Sequence, residues 1–195
     1  MTRKPDLEKK PALLDRVLDS LLDKPLSSLT FRGLASELGT STFTLVYHFG
    51  TRADLVREII VAIANRHRGF ETALDPTDLS IDSYIAGLQA SFDLTLLPRN
   101  RALQRLEFEA QMLEALEPHN SATRLVHEDL QNRATDTLKL LGLSPDDAAI
   151  ESRLLVDTFY GIQVGLVVNR DNDQSAAAFA RALEHHRDRI AALRS

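Results

Sequence analysis

The chain has 195 residues, of which 44% are hydrophobic and 26% are charged, and it contains no cysteine. This length suits one or two compact domains, and this composition excludes wholesale disorder. Without cysteine there is no disulfide, no thiolate zinc site and no cysteine nucleophile. The N-terminal stretch MTRKPDLEKKP is charged, and no apolar run in the chain is long enough for a bilayer. We therefore expect no signal peptide, no membrane partner and a cytoplasmic location.

Glycine and proline are scarce, with eight and seven residues, and the chain has no long segment in which apolar and polar residues alternate. β-rich folds use many more turn residues, so the sequence predicts an all-α protein of about nine helices. The net charge of −5 is unevenly distributed, because residues 1–70 hold 11 Lys and Arg against 8 Asp and Glu, whereas residues 71–195 hold 12 against 20. This balance disfavours bulk coating of nucleic acid but allows DNA binding at one local face.

Four helices are predicted in the N-terminal third. Leucines and valines at three-to-four spacing predict the first, which ends before Lys24-Pro25 because a residue preceding proline is disfavoured in the α region. Hydroxyl N-caps and glycines mark the boundaries of the next three. In chain order these are Thr30, Gly39, Ser41, Gly50 and Thr51.

Five longer helices are predicted after a break at residues 75–78. Ser144-Pro145 is the clearest start, because a serine cap is followed by proline in the first turn. It opens a helix over about 145–169 that is apolar nearly all round. The other four are predicted over about 80–97, 100–116, 121–141 and 174–193.

The second and third predicted helices, with Gly39-Thr40-Ser41 between them, form a helix-turn-helix. The third is too short to be a packing element in its own right, and Leu45 and Phe49, four residues apart, serve as its anchors. Its other side chains carry hydroxyl and imidazole groups. Hydroxyls and tyrosine reach phosphates, and threonine also offers a methyl group to thymine, so double-stranded DNA is the predicted partner.

Residues 30–55, TFRGLASELGTSTFTLVYHFGTRADL, resemble the DNA-binding signature of TetR-family transcriptional repressors. That family shows a threonine, an arginine two places later and Leu-Ala, then a Gly-x-Ser turn and a helix ending in aromatic-His-Phe. A polar residue paired with lysine, and a leucine, begin the next helix. The match has no gap. It implies a ligand-responsive regulator that binds a palindromic operator as a homodimer and is released by a small hydrophobic effector.

Three positions depart from the family pattern. Val46 stands where the family usually has tyrosine and cannot make that side chain's phosphate contact, although Tyr47 follows one place later. Phe43 occupies a position that is usually small or polar, where an outward ring would pack on thymine methyls or the sugar edge. Arg52 replaces the customary lysine, and either cation serves a phosphate. These differences bear on the operator sequence and not on the groove-binding mode.

The resemblance implies roles for ten residues. Phosphate contacts are expected from Thr30, Ser41, Tyr47, His48, Thr51 and Arg52. Base-edge contacts are expected from Arg32, Thr42, Phe43 and Thr44. For the hydroxyl residues at helix starts, capping alone is an equally good explanation, and His48 could instead be packed at an interface.

The all-round apolar helix over 145–169 predicts a subunit interface, because one domain of this size rarely buries every face of a helix. Gly161 and Gly165, four residues apart, would let another helix approach closely. In the TetR family the last two long helices of each subunit form a four-helix bundle, so we expect a twofold homodimer. The expected interface residues are Gly161, Gly165, Val168, Phe179, Leu183 and Ile190.

The resemblance also implies a ligand cavity among the C-terminal helices, and apolar walls with a few polar groups suit a small hydrophobic effector. The candidates are Tyr84, Phe92, Phe108, Gln111, Met112, Phe159, Tyr160 and Gln163, for each of which plain core packing is the simpler explanation. We expect no cofactor and no metal. The expected organisation is a helix-turn-helix domain over 1–54, a connecting helix over 55–75, and a ligand-binding and dimerisation domain over 76–195.

Two other functions stay open. A helical-bundle enzyme with a di-metal site needs Glu-x-x-His on paired helices, a spacing that does not occur here, and no nucleophile elbow or phosphate loop is present. We therefore expect no catalysis. A helical protein-interaction module with a vestigial helix-turn-helix is the second alternative, which the residues at Phe43 and Val46 leave open.

Overall fold

The computed structural model describes residues 9–71, 79–117 and 121–194. Within these ranges the chain forms nine α-helices and no strand, so the all-α prediction is confirmed. The helices are α1 (Lys9–Leu21), α2 (Phe31–Leu38), α3 (Thr42–Phe49), α4 (Arg52–Glu71), α5 (Ile81–Thr95), α6 (Pro98–Ala115), α7 (Ser121–Leu140), α8 (Pro145–Asn169) and α9 (Asn172–Leu193). A short 3₁₀ turn, Leu26–Ser28, lies between α1 and α2.

The predicted helix boundaries agree with the observed ones to within a few residues. Pro98, expected to stop a helix, is instead the first residue of α6, where a missing backbone N–H breaks no helical hydrogen bond. α9 begins two residues earlier than expected, because Asp171 accepts a hydrogen bond from the Gln174 N–H as its N-cap. The predicted break at 75–78, and the domain boundary after residue 75, lie outside the described residues.

Backbone packing divides the chain into two compact units. Unit 1 comprises the residues up to Ile63 together with Leu106–Thr123, and unit 2 comprises Ala64–Arg105 together with the residues from Arg124 onward. The dividing points fall inside helices, so the units do not coincide with the functional regions expected from the sequence. The boundary after residue 54 stays a prediction.

Unit 1 has an aliphatic core supplied by several helices. Val17 of α1, Leu45 of α3 and Ile59 of α4 are fully buried, and α2 packs against both α1 and α3. Burial of one such side chain contributes about 1.5–3 kcal/mol. The 3₁₀ turn is held from another part of the unit, because the Leu26 N–H donates to the Glu109 carboxylate at 2.5 Å.

Unit 2 is organised around α9, which packs against both α5 and α8. One apolar cluster includes Tyr84, Leu138 and Ile190. A second is built on Phe92 and Phe179, whose rings stack with centroids 4.2 Å apart. No helix in the described ranges is long and apolar enough to cross a membrane.

The α9 residues expected at a subunit interface are part of these clusters. Phe179, Leu183 and Ile190 are almost completely buried within unit 2, because α9 turns this face toward α5 and α8. They therefore have no surface left for a second subunit, and this part of the expected interface needs correction. The amphipathic stripe in the sequence marks the core face of α9.

Candidate nucleic-acid interface

Local hydrogen bonds fix the ends of α2 and α3. The Thr30 hydroxyl accepts from the Gly33 N–H at 3.1 Å and so caps α2. Gly39 ends that helix in the left-handed conformation, with φ 61° and ψ 34°, which residues with a Cβ disfavour. The Ser41 hydroxyl then caps α3 by accepting from the Thr44 N–H at 3.0 Å. The helix-turn-helix expected from the sequence is therefore present, with a three-residue turn.

α3 has one buried edge and one exposed face. Leu45 and Phe49 are buried, as expected of its anchors. On the other side Phe43, Val46 and Tyr47 are 79%, 47% and 49% exposed, and the expected base-reading residue Thr42 is exposed as well. Thr44 and His48 are half-buried. The short helix is thus open to a partner along its outer face.

The aromatic side chains of α3 form a continuous series of ring contacts. Phe43 and Tyr47 stack with centroids 6.5 Å apart and planes inclined by 29°. Tyr47 meets His48 edge-on at 5.2 Å, and His48 lies 6.3 Å from Phe49. The exposed rings are therefore linked to a buried anchor, which restricts their side-chain freedom.

The start of α4 is a reciprocal cap. The backbone N–H and the hydroxyl of Thr51 both donate to the Asp54 carboxylate, at 2.8 and 2.7 Å, and the Asp54 N–H donates back to the hydroxyl at 3.2 Å. These hydrogen bonds, assisted by the Arg57 guanidinium, lower the pKa of Asp54 to about 2. The sequence expectations missed Asp54, although the spacing Thr51-x-x-Asp54 is that of a capping box.

Arg52 has a different position from the one expected. Its Nε donates to the Leu29 carbonyl at 3.2 Å and its Nη2 to the Leu26 carbonyl at 3.1 Å. The side chain therefore braces the 3₁₀ turn against the start of α4, and two of its nitrogens are already engaged. The phosphate contact expected of Arg52 stays a prediction.

Most cations of unit 1 are engaged within the unit. Lys10 pairs with Glu58, Lys24 pairs with Glu37, and Arg16 and Arg57 also have hydrogen-bond partners. Among the basic side chains that the structure describes in this unit, only Arg32 has no hydrogen bond or ion pair, and it is exposed. Arg32 is therefore the cation best placed to meet a polyanion without first breaking a contact.

Comparison with known proteins gives a match at the level of structure only. No protein-family model and no curated protein matches the sequence. A TetR variant from Acinetobacter baumannii AYE, crystallised in complex with minocycline, is 20% identical with a TM-score of 0.67, covering 98% of this chain and 99% of that chain. GusR of Salmonella enterica is 17% identical with a TM-score of 0.71, covering 98% and 97%. The chain has the fold of the TetR-family regulators. The multidrug binding protein EbrR, complexed with imidazole, shares this fold at 20% identity and a TM-score of 0.60, covering 91% and 95%.

Within this TetR-family fold, five of the residues expected to line a ligand cavity lie in unit 2. Tyr84 and Phe92 are buried in its apolar clusters, and the Phe159 ring meets Phe92 edge-on at 6.1 Å. Tyr160 stacks on His127 with ring centroids 4.7 Å apart. Burial lowers the pKa of that histidine, which keeps it neutral in the stack.

Gln163 carries a buried polar group that has an unsatisfied donor. The side chain is only 1% exposed, and its Nε2 has no hydrogen-bond partner among the described residues. An unsatisfied buried donor costs about 1–3 kcal/mol. An acceptor from a bound molecule would recover this free energy, which makes Gln163 a polar candidate for ligand contact.

The other three ligand candidates lie in unit 1, on α6. Gln111 is buried and donates to the Glu107 carboxylate at 3.1 Å. Phe108 is half-buried, and Met112 is exposed. In the described ranges, no group of three or more histidine or acidic side chains is arranged to hold a metal ion.

The α8 residues expected at a subunit interface lie on an open face of the TetR-family fold. A Cβ added at Gly161 or Gly165 would meet nothing within 4 Å, and Val168 is 71% exposed. Ile150, Leu154 and Val164 are also exposed. At 3.6 residues per turn these three positions, Gly161, Gly165 and Val168 all fall within an arc of about 100°, so they form one stripe along the helix. We call this set of six residues the α8 stripe.

Proposed function

We propose that this protein is a ligand-responsive, DNA-binding transcriptional regulator that acts as a repressor. It binds a palindromic operator as a homodimer and is released by a small hydrophobic effector. The single observation that carries this proposal is the capped, outward-facing α3 on a TetR-family fold. The proposal includes no catalytic step, and because its partner is DNA we assign its action to the cytoplasm.

The outer face of α3 supports insertion into a major groove. A groove admits one α-helix, and the side chains around its start determine which base edges are read. Thr42 and Phe43 lie in the first turn of α3, and Arg32 supplies an unpaired cation from α2. The hydroxyls of Ser41 and Thr51 cap helices by accepting hydrogen bonds, whereas a phosphate oxygen needs a donor. The exposed Ser41 O–H can donate to a phosphate when Thr44 is the donor in their mutual hydrogen bond, and the Thr51 O–H would have to leave the Asp54 carboxylate to do so.

The α8 stripe supports the homodimer. Exposed aliphatic side chains are unfavourable in water, and contiguous apolar patches usually mark interaction sites. Glycines within the stripe let the backbone of a second helix approach closely. A twofold dimer would present two copies of α3 to half-sites about 34–36 Å apart, or a multiple of that spacing. The second half-site supplies the affinity that one eight-residue helix lacks.

The unsatisfied amide of Gln163 supports the effector site. It lies on α8, one turn after Phe159 and Tyr160, so a bound molecule would meet one polar group among apolar ones. Two proteins of similar fold were crystallised with small molecules, minocycline and imidazole. The effector releases DNA only by binding the non-binding conformation more tightly than the binding one.

The test is selection of duplexes from a random DNA pool with the purified protein, followed by gel shift on the selected site. We expect a palindrome whose binding weakens at least tenfold in Arg32→Ala, and also weakens in Thr44→Ala. Arg124→Ala removes an equal charge from an exposed position in unit 2 and should leave binding unchanged. The proposed function is wrong if no duplex is enriched. The assignment of Arg32 and Thr44 to DNA contact is wrong if both α2–α3 variants bind as well as the unmodified protein.

A further inference from the structure

We propose that α3 reads thymine methyl groups in the major groove, through the exposed ring of Phe43 supported by Tyr47. This inference rests on the proposed function and specifies the chemistry of the half-site. The operator should place a 5-methyl pyrimidine where the first turn of α3 meets the bases.

The composition of α3 excludes the usual way of reading a base pair. Its eight residues, TFTLVYHF, include no Arg, Lys, Asn, Gln, Asp or Glu. Those are the side chains whose paired or charged groups distinguish guanine, adenine and cytosine edges. Threonine hydroxyls bond to either kind of edge and discriminate weakly. Sequence information from α3 must therefore come mainly from apolar contact.

The exposed surface of α3 is apolar at its centre. Phe43, Val46 and Tyr47 lie on the outside of the helix, and the Phe43 ring is the most exposed of the three. The thymine C5-methyl is the apolar group that a base presents in the major groove. A helix with this surface is therefore complementary to a groove wall that carries thymine methyls, and it gains little from a G·C-rich one.

The rings are held in a defined position, as specific contact requires. Phe43 and Tyr47 stack, and the ring series continues through His48 to the buried Phe49. Four residues of helix advance about 6 Å. Base steps along one strand are about 3.4 Å apart. The two exposed rings therefore span roughly two base steps, so the preferred half-site should contain thymine at one or both of two nearby positions.

The electrostatic setting favours this division of roles. Among the described basic side chains of unit 1, Arg32 is the one without a hydrogen bond or ion pair, and it belongs to α2, the helix that packs against α3. Asp54 stays ionised, but its carboxylate is paired with the Arg57 guanidinium, so the pair as a whole adds little repulsion toward phosphates. Arg32 would meet the base edge expected of it, the capping hydroxyls would hold the DNA backbone, and the rings would read thymine methyls.

The experiment replaces thymine by uracil at single positions of the selected operator. Uracil pairs as thymine does and lacks only the C5-methyl. Losing one buried methyl contact should weaken binding about fourfold per half-site, from about 0.8 kcal/mol per buried carbon group. In Phe43→Ala the same replacement should have no effect, since the group that touches the methyl is gone. Phe43→Leu should retain part of the discrimination.

Two controls separate this effect from the alternatives. Leu140→Ala shortens an equally exposed apolar side chain in unit 2 and should keep the full thymine preference. A change in DNA shape caused by uracil would persist in Phe43→Ala, whereas a lost methyl contact would not. Thermal unfolding checks that each variant remains folded.

Three outcomes overturn the inference while leaving the proposed function intact. These are a selected half-site without thymine, equal binding to thymine and uracil duplexes, and an unchanged thymine preference in Phe43→Ala. If no duplex is selected at all, the inference and the proposed function both fail. The inference and the proposed function also both fail if the protein selects no DNA and a second protein is found bound over the α3 rings.

Discussion

α3 and α8 both expose large apolar side chains, but the two faces differ in length, shape and neighbours. α3 exposes aromatic rings over little more than one turn, next to Thr42 and the capping Ser41. α8 exposes branched aliphatic side chains and bare glycines over about five turns. Rings rimmed by hydroxyls suit a groove with polar edges, whereas a long aliphatic stripe suits another helix. Exposed apolar side chains indicate an interaction surface on both helices. The groups around them indicate which partner each surface binds, a DNA groove for α3 and another helix for α8.

The two helices are also supported differently. α3 depends on caps within four residues and on two buried anchors. α8 is tied to α9 by a buried carboxylate, because Glu151 accepts from Arg189 at 3.1 and 2.6 Å and lies 4.0 Å from His186. Local capping leaves the outer face of α3 free, and long-range pairing fixes which face of α8 stays open.

The largest expected effect contrasts the buried and exposed sides of α3. Leu45→Ala removes a fully buried side chain and should lower the free energy of unfolding by about 2–5 kcal/mol. Val46→Ala, on the exposed side of the same helix, should change it by less than about 0.5 kcal/mol. Urea unfolding followed by circular dichroism measures both. Equal losses would contradict the outward orientation of α3.

The next effect tests the α8 stripe. A Cβ added at Gly161 meets nothing within 4 Å, and leucine has a better helix propensity than glycine, so the protomer of Gly161→Leu should gain about 0.5–1 kcal/mol of stability. The same side chain blocks close approach of a second helix, so we expect the dimer to weaken at least a hundredfold. Light scattering over a concentration series follows the mass. Leu97→Ala, another exposed apolar change in unit 2, should leave the dimer intact.

Loss of the dimer should also reduce operator affinity. When two recognition helices are linked, the second binds at a high effective concentration, and the overall DNA affinity rises about 10²–10⁴-fold over that of one helix. Gly161→Leu should therefore bind a full palindrome no better than a single half-site, while its intrinsic half-site affinity stays unchanged. If the variant is monomeric and still binds the palindrome at full affinity, then operator binding does not depend on a dimer formed through α8.

A smaller effect distinguishes bracing from phosphate contact at Arg52. Arg52→Lys keeps the charge but loses the paired donors to the Leu26 and Leu29 carbonyls. We expect a loss of roughly 1 kcal/mol of stability, with little change in the salt dependence of DNA binding. Arg32→Lys is the matched control, since its side chain braces nothing. Unchanged stability in Arg52→Lys would contradict the bracing role and restore the role implied by the family resemblance, because lysine also serves a phosphate.

The smallest effects depend on pH and differ between the units. Burial lowers the pKa of His186 below 6.5, and Glu151 opposes this in part. The unfolded chain therefore binds this proton more readily, and unit 2 should lose stability as pH falls below about 6.5. His127 shifts in the same direction for the same main reason. In His186→Gln the free energy of unfolding, measured in urea between pH 8 and 5.5, should depend less strongly on pH.

Unit 1 should respond in a lower pH range. Because the folded-state pKa of Asp54 is about 2 instead of 3.8, its contribution is complete above about pH 4 and is lost between about pH 4 and 2. Hydrogen exchange at the first turn of α4 should accelerate in that window, and Asp54→Asn should remove the pH dependence there. Acceleration that begins near pH 6 would contradict this assignment.

The amino-acid sequence by itself determined the helices and the helix-turn-helix. Thr30, Gly39, Ser41 and Thr51 act on backbone groups a few residues away, so their signals could be read without knowing the rest of the chain. The outward face of α3 followed from the anchors Leu45 and Phe49 for the same reason. The apolar character of α8 was likewise visible in its composition.

Only the tertiary structure decided which partners the remaining side chains have. Arg52 reaches carbonyls 23 and 26 residues away, and Glu151 meets Arg189 across 38 residues. Phe179 and Ile190 were expected at a subunit interface because a stripe of apolar positions in the sequence does not distinguish a face buried in the core from one covered by a second subunit. Helix propensity and capping depend on neighbours in sequence, whereas the choice of the covered face depends on the packing of helices that are distant in the chain.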